Sequence, residues 1–174
     1  MSVWYEAEKT KEGLASFLDC NWSFHDFRLE HVLYVPGKDM VEIFLKYDTG
    51  QEGVLLRFTG INGVHVNTDT DYDAAWLCGS VILCLDNDSL IWLDDDDWGE
   101  NSLEHLDDLK QTATWVESKR LFWAVTDADG NPVEMPDDRV DQLWYDNGKT
   151  EVMHFKLKEF DESWDAVLLP WYKR

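Results

Sequence analysis

The 174-residue sequence predicts a mainly β (α+β) fold: an antiparallel meander, built as a two-layer sheet or a sandwich, with one or two short flanking helices. Three observations predict it. From Phe27 onward apolar residues recur at every second position, the period of a half-buried strand. Turn-forming clusters (Pro36-Gly37, Asp48-Thr49-Gly50, Asp86-Asn87-Asp88) separate such runs, and these links are too short for parallel crossovers. Asn147-Gly148 sits between two apolar segments and is the residue pair that a type I′ hairpin turn demands. Eight to ten strands are expected. No linker or low-complexity stretch interrupts them, so residues 1–174 read as a single β-rich acidic domain, at a length that suits one core.

The first element is a helix. Thr10 is positioned to cap it, and Leu14, Phe17 and Leu18 fall on one face at helical spacing. Gly13 stands where a capping box carries Glu or Gln. After Asp19-Cys20-Asn21 the period changes to two. Phe27, Leu29, His31, Leu33 and Val35 form one face of a strand, with Pro36-Gly37 ending it. Val41, Ile43, Leu45 and Tyr47 form one face of the next. Val54, Leu56 and Phe58 begin a third, with Gly60 and Gly63 as bulge or turn points. These three read as a meander. The apolar runs 81–85 and 90–93 suit central strands covered on both faces. Ser102 is placed to cap a short helix carrying Leu103, Leu106 and Leu109, with Lys110 at its end. Strand patterns resume at 112–116 and 121–126. Asp127 to Pro132 is a loop, residues 133–135 extend again, and the apolar tail 164–171 is expected to dock. Trp76, Trp92, Trp115 and Trp123 lie in apolar context and are expected in the core.

Charge narrows the function. Thirty-six acids oppose 15 bases, a net charge of −21. Residues 67–109 hold thirteen acids and no base, and no Lys or Arg occurs between Arg57 and Lys110. Asp69, Asp71 and Asp73, then Asp86 and Asp88, then Asp94, Asp95, Asp96 and Asp97 supply most of it. A surface that serves only solubility mixes its signs. Bare nucleic acid is excluded as a partner, since no basic footprint exists for phosphates. No apolar run approaches the ~20 residues of a membrane span, and the first residues lack the basic and apolar regions of a signal peptide. A cytoplasmic protein is the expectation. Cys20, Cys78 and Cys84 are an odd, unclustered set, expected as buried free thiols.

No sequence motif specifies a reaction. His25-Asp26 has the look of a metal-binding pair, but its place at a strand entry predicts a local backbone bond instead. Asp69-x-Asp71-x-Asp73 and Asp127-x-Asp129-x-Asn131 begin like EF-hand loops. They carry Ala74 and Pro132 where the sharp turn requires Gly, which leaves weak calcium binding as their limit. P-loop, GxGxxG, GxSxG and HExxH patterns are absent. No enzyme, cofactor or metal is expected.

The stretch Trp22-Ser23-Phe24-His25-Asp26-Phe27-Arg28-Leu29, followed by Val41-Glu42-Ile43-Phe44-Leu45 and Leu55-Leu56-Arg57-Phe58-Thr59-Gly60-Ile61, resembles small bacterial proteins that open with an aromatic-His-Asp strand start. Some of those are assigned as immunity proteins of polymorphic toxin systems. The resemblance spans about residues 22–66. It implies a bacterial cytoplasmic binding protein and carries no active site with it.

The functional expectation is therefore a non-enzymatic binding protein, an immunity protein or inhibitor. It would occlude a basic protein partner, a toxin or nuclease, with no nucleic acid and no membrane involved. The expected contact residues are Asp69, Asp71, Asp73, Asp94, Asp95, Asp96 and Asp97, with Trp98 as aromatic anchor. Two alternatives stand beside it: a carbohydrate- or small-ligand-binding β domain using exposed tryptophans, and an acidic structural domain without dedicated activity. None of these patterns encodes an oligomeric state.

Overall fold

The computed structural model describes residues 3–47, 50, 52–67, 76–77, 79–95, 102–135 and 155–158. Among them the fold is mainly β, a nine-stranded antiparallel sheet with two helices. The strands are β1 (Trp4–Ala7), β2 (Phe27–Val35), β3 (Met40–Tyr47), β4 (Glu52–His65), β5 (Trp76–Leu77), β6 (Val81–Cys84), β7 (Leu90–Leu93), β8 (Trp115–Asp127) and β9 (Phe155–Lys158). The helices are α1 (Lys11–Cys20) and α2 (Leu106–Thr112). The sheet order is β5-β2-β3-β4-β8-β1-β9, and it forks at β8, whose outer side pairs with β1 at one end and β7 at the other. The expected meander is β2-β3-β4. Among the described residues the arrangement is one sheet with helices against it rather than a sandwich.

Alternation along the strands sends successive side chains to opposite faces. Val41, Ile43, Leu45, Val54, Leu56, Phe58, Trp92, Leu121, Trp123 and Val125 face α1 and form the main core with Leu14, Phe17 and Cys20. The other face carries two smaller clusters. Leu109 and Ala113, on and just beyond α2, cover Val81, Ile91 and Leu93 at the β6–β7 end. Trp4, Leu55, Phe122 and Ala124 form the second, with Phe44 against them. Beside that second cluster the buried Arg57 lies 3.9 Å over the Trp4 ring and donates from Nε to Glu42 Oε2 at 3.0 Å. That pairing satisfies both charges where a lone one would cost several kcal/mol, on the order of 3–5.

Thr10 caps α1 as expected, its Oγ1 accepting from Gly13 N at 3.0 Å. The glycine is dictated by space. A Cβ there would lie 2.6 Å from the Glu8 carbonyl oxygen, so the Glu of a capping box has no room. After α1 the chain makes a tight left-handed turn, with positive φ at Trp22, Ser23, Phe24 and Asp26. Each such residue costs about 1–2 kcal/mol. Burial of Phe24 against Phe17 and Phe27 returns roughly 1.5–3 kcal/mol. Ser80 N also bonds the Ser23 carbonyl and holds the turn.

Four expectations are corrected. First, β2 does not keep one parity. A bulge at Glu30, between Leu29 and His31, places Phe27, Leu29 and Val32 on the core side and sends His31 and Leu33 to the other. Second, the patterns at 112–116 and 121–126 are not two strands: residues 115–127 form the single strand β8, joined through the polar residues 117–120. That stretch pairs with the bulged part of β4, where Gly60 has φ 67° and lies against Lys119. Third, α2 starts at Leu106 with His105 as its cap residue. Ser102 is buried in the preceding turn, and Leu103 is exposed. Fourth, β7 is buried along its whole length, but β6 is an outer strand with an exposed end at Cys84. The expected buried thiol therefore holds for Cys20 and fails for Cys84. Trp92 and Trp123 are fully buried and Trp115 half-buried, packed against the α2 cluster. The Asn147-Gly148 hairpin, the tail 164–171 and Cys78 lie outside the described residues.

Candidate functional site

Of the expected contact residues, Asp94 and Asp95 are described; Asp69, Asp71, Asp73, Asp96, Asp97 and Trp98 lie outside the described residues. The two that are described lead to a corner of the sheet where three elements end together: β4 at His65, β7 at Leu93, and the exit from α2 at Ala113 and Thr114. Thr114 joins them. Its backbone N–H donates to Asp94 Oδ1 at 2.8 Å, and its carbonyl accepts from Asp94 N at 3.0 Å. Its Oγ1 accepts from Asn67 N at 3.0 Å. His65 adds a bond from Nδ1 to the Ala113 carbonyl at 2.9 Å and stacks on Trp115. Val66 beside it is exposed.

This corner is where the chain passes into both acid-rich runs. Residues 68–75 follow Asn67, and residues 96–101 follow Asp95. The entry points of the clusters at 69–73 and 96–97 are thus tied to the same threonine, although 27 positions separate Asn67 from Asp94.

Asp94 itself is not a free surface carboxylate. It is half-buried, and loss of hydration pushes its pKa up to about 6, against the opposing hydrogen bonds from Thr114; the neighbouring Asp95 charge adds to the rise. It pins the corner. The sequence could not separate it from the three aspartates after it, because all four look alike without the fold. Thr114 was missed for a related reason: a lone threonine after a helix carries no signal until its three partners are known.

The third cluster behaves differently. Asp86 and Asp88 sit in the β6–β7 turn, at the opposite end of β7. Lys9, just before α1, reaches Asp88: its Nζ donates to both Asp88 Oδ1 and the Asp88 carbonyl at 2.8 Å. That hydrogen bond and the Lys9 charge lower the Asp88 pKa. Nearby, Glu117 collects donors. Asn87 Nδ2 and Ser89 Oγ reach its Oε1 at 3.1 Å, and Lys110 Nζ reaches Oε2 at 3.1 Å. Burial raises the Glu117 pKa, but those hydrogen bonds and the Lys110 charge outweigh burial and leave it lowered.

The remaining motifs have local roles. His25 Nδ1 and Asp26 Oδ2 are 3.0 Å apart on the exposed side of the left-handed turn, pairing with each other rather than with backbone. Asp127 Oδ1 accepts from Asp129 N and Asn131 N, closing its own turn. Among the described residues no three His, Cys, Asp or Glu side chains form a metal-sized group, and no helix is long and apolar enough to cross a membrane. A 340 Å³ cleft opens between residues 6–10 and Lys119-Arg120. Its Arg120 is held by both oxygens of Glu6.

No family model, curated protein or solved structure matches this chain.

Proposed function

We propose that the chain is a non-enzymatic binding protein that holds a basic protein through the acidic corner at Thr114, in the manner of an immunity protein or inhibitor. One observation carries this reading. Two acid clusters far apart in sequence enter from a single pinned corner, in a segment that supplies no base of its own. Concentrated negative charge of this kind speeds encounter with a cationic partner, while a buried aromatic slows release. Asp95, Asp96 and Asp97 with Asp69, Asp71 and Asp73 supply the field, and Trp98 the anchor. Asp94 supports them by holding the corner. Carboxylates placed in a partner's cationic cleft would stand where its phosphate-bearing substrate binds.

The test is capture from the source cell's lysate at low salt, identification of the captured protein, and surface kinetics on the purified pair. The Asp95→Asn, Asp96→Asn, Asp97→Asn triple variant should slow association about tenfold, and added salt should do the same to the parent. Trp98→Ala should act on dissociation, by about 2 kcal/mol. A captured basic protein whose kinetics ignore all four changes would remove the corner from the interface. Retention on a polysaccharide resin, unaffected by salt and lost with Trp98→Ala, would replace this reading with sugar binding.

A further inference from the structure

We propose that segment 159–174 of this chain docks across the sheet face opposite α1, with its aromatic residues on the cluster of Trp4, Leu55 and Phe122 and its acids among the bases around that cluster. This goes beyond the acidic corner and does not depend on it.

Register defines the face. Glu42, Arg57, Phe122 and Glu6 form one row across β3, β4, β8 and β1. Phe44, Leu55 and Ala124 form the next, with Trp4 packed beside them. Neither helix covers the middle of this face: α1 packs into the main core, and α2 lies over the β6–β7 end. A sheet face open to water keeps its large side chains wet, and a second layer is what removes them from it. Here Trp4 is 2%, Arg57 4%, Phe122 5% and Leu55 6% exposed. Stacking of Arg57 on Trp4 and of Arg120 on Phe122 accounts for part of that burial. The rest needs a cover that the described elements do not supply. Trp4, Arg57 and Phe122 each make a further polar, ring or charge interaction besides the pairs already named.

Chain path selects the occupant. β9 pairs with β1 in a register that sets Lys158 opposite Trp4, so residue 159 starts beside the cluster itself. Segment 136–154 starts from the other side of the sheet. Met135 packs against the main core, its Sδ 3.6 Å from Cys20 Sγ, and Phe155 rejoins opposite Ala7 of that same core. Residues 68–75 and 96–101 leave from the Thr114 corner, at the His65 end of β4. Charge agrees with the path. Arg28, Lys46, Arg57 and Arg120 lie on this face, and the register sets Lys156 opposite Glu6. With Lys158 these bases outnumber the acids paired to them, Glu6, Glu30 and Glu42, on a chain of net charge −21. Residues 159–165, Glu-Phe-Asp-Glu-Ser-Trp-Asp, carry four acids, two aromatics and no base. Phe160, Trp164, Val167, Leu168 and Trp171 recur at i, i+4, i+7, i+8 and i+11, an apolar stripe that requires an apolar surface to cover it.

Hydroxyl-radical footprinting of the full chain should find Trp4 and Phe122 as protected as Phe17 and Trp92 of the main core. In the Phe160→Asp, Trp164→Asp variant Trp4 and Phe122 should lose that protection, while Phe17 and Trp92 keep it. A benzophenone at position 164 of the otherwise unchanged chain should cross-link to β1, β4 or β8 at residues of this face. In a mixture of isotopically light and heavy chains those links should join light to light and heavy to heavy. Undiminished protection of Trp4 and Phe122 in the variant would overturn the proposal, since another segment would then be the cover. So would cross-links confined to α1, to the acidic corner or to a second chain. If the variant unfolds and exposes Phe17 and Trp92 as well, the cross-link map decides by itself.

Discussion

The two ends of β7 have opposite electrostatic fates. At the β6–β7 turn, carboxylates are met by cations from elsewhere in the chain, Lys9 on Asp88 and Lys110 on Glu117. At the Thr114 corner, Asp94 is met by a backbone N–H and a hydroxyl. Only four strand residues separate the turn region from the corner. One end has its Glu117 pKa lowered; the other has its Asp94 pKa raised to about 6. Net charge of a sequence window therefore says little about local potential. Within the base-free run 67–109, Asp88 is met by a base from elsewhere in the chain, while Asp94 is held by neutral hydrogen-bond donors.

The largest effect should come from breaking the neutralised end. Glu117→Ala leaves Lys110, Asn87 and Ser89 without their shared acceptor in a half-buried setting. It should cost about 2–3 kcal/mol in urea unfolding. A loss below about 0.5 kcal/mol would show that this cluster is replaced by water without penalty.

The second test sharpens the contrast through pH. A raised folded pKa means that Asp94 contributes most below its unfolded pKa of about 4. That contribution is lost as pH rises through about 6. Its cost at pH 7 is on the order of 2 kcal/mol. Asp94→Asn keeps an acceptor for Thr114 and carries no charge. It should be the more stable protein at pH 7, by about 1–2 kcal/mol, with the advantage gone near pH 4. Glu117 has the opposite sign. Its lowered pKa gives stability above the unfolded value that is lost as pH falls through the folded one, so Glu117→Gln should fall further behind the parent at pH 7 than at pH 4. Urea midpoints of the three proteins between pH 4 and 7.5 check both. Parallel curves would mean that the two carboxylates share one environment.

The smallest effect concerns the field at the corner. Asp95→Asn with Asp96→Asn should stabilise by about 0.5 kcal/mol at low salt and by nothing at 0.5 M sodium chloride, where screening already removes the repulsion. A gain that persists at high salt would have a cause other than charge.

Much of the fold was legible because strands and helices leave periodic marks. Thr10, Leu14 and Phe17 marked α1, and the alternation in 41–47 and 54–58 marked β3 and β4. The parity of β2 was not legible, since a bulge inserts one residue without changing composition, and Leu29 and Val32 both fit an apolar face. The continuity of β8 was hidden because Glu117, Ser118, Lys119 and Arg120 are polar for reasons that lie across the sheet: the Glu117 donors on one side and the bulged stretch of β4 on the other.

What the sequence determined alone was local and additive: helix and strand periods, the turn residues, a −13 run of thirteen acids without a base, and the absence of any basic footprint. Only the tertiary structure decided which of the described acids meet a base and which lose water instead. That depends on distances of a few ångströms between residues such as Lys9 and Asp88, 79 positions apart, and on how much water each carboxylate loses. Coulomb and desolvation energies vary steeply with both, and neither is a function of position along the chain.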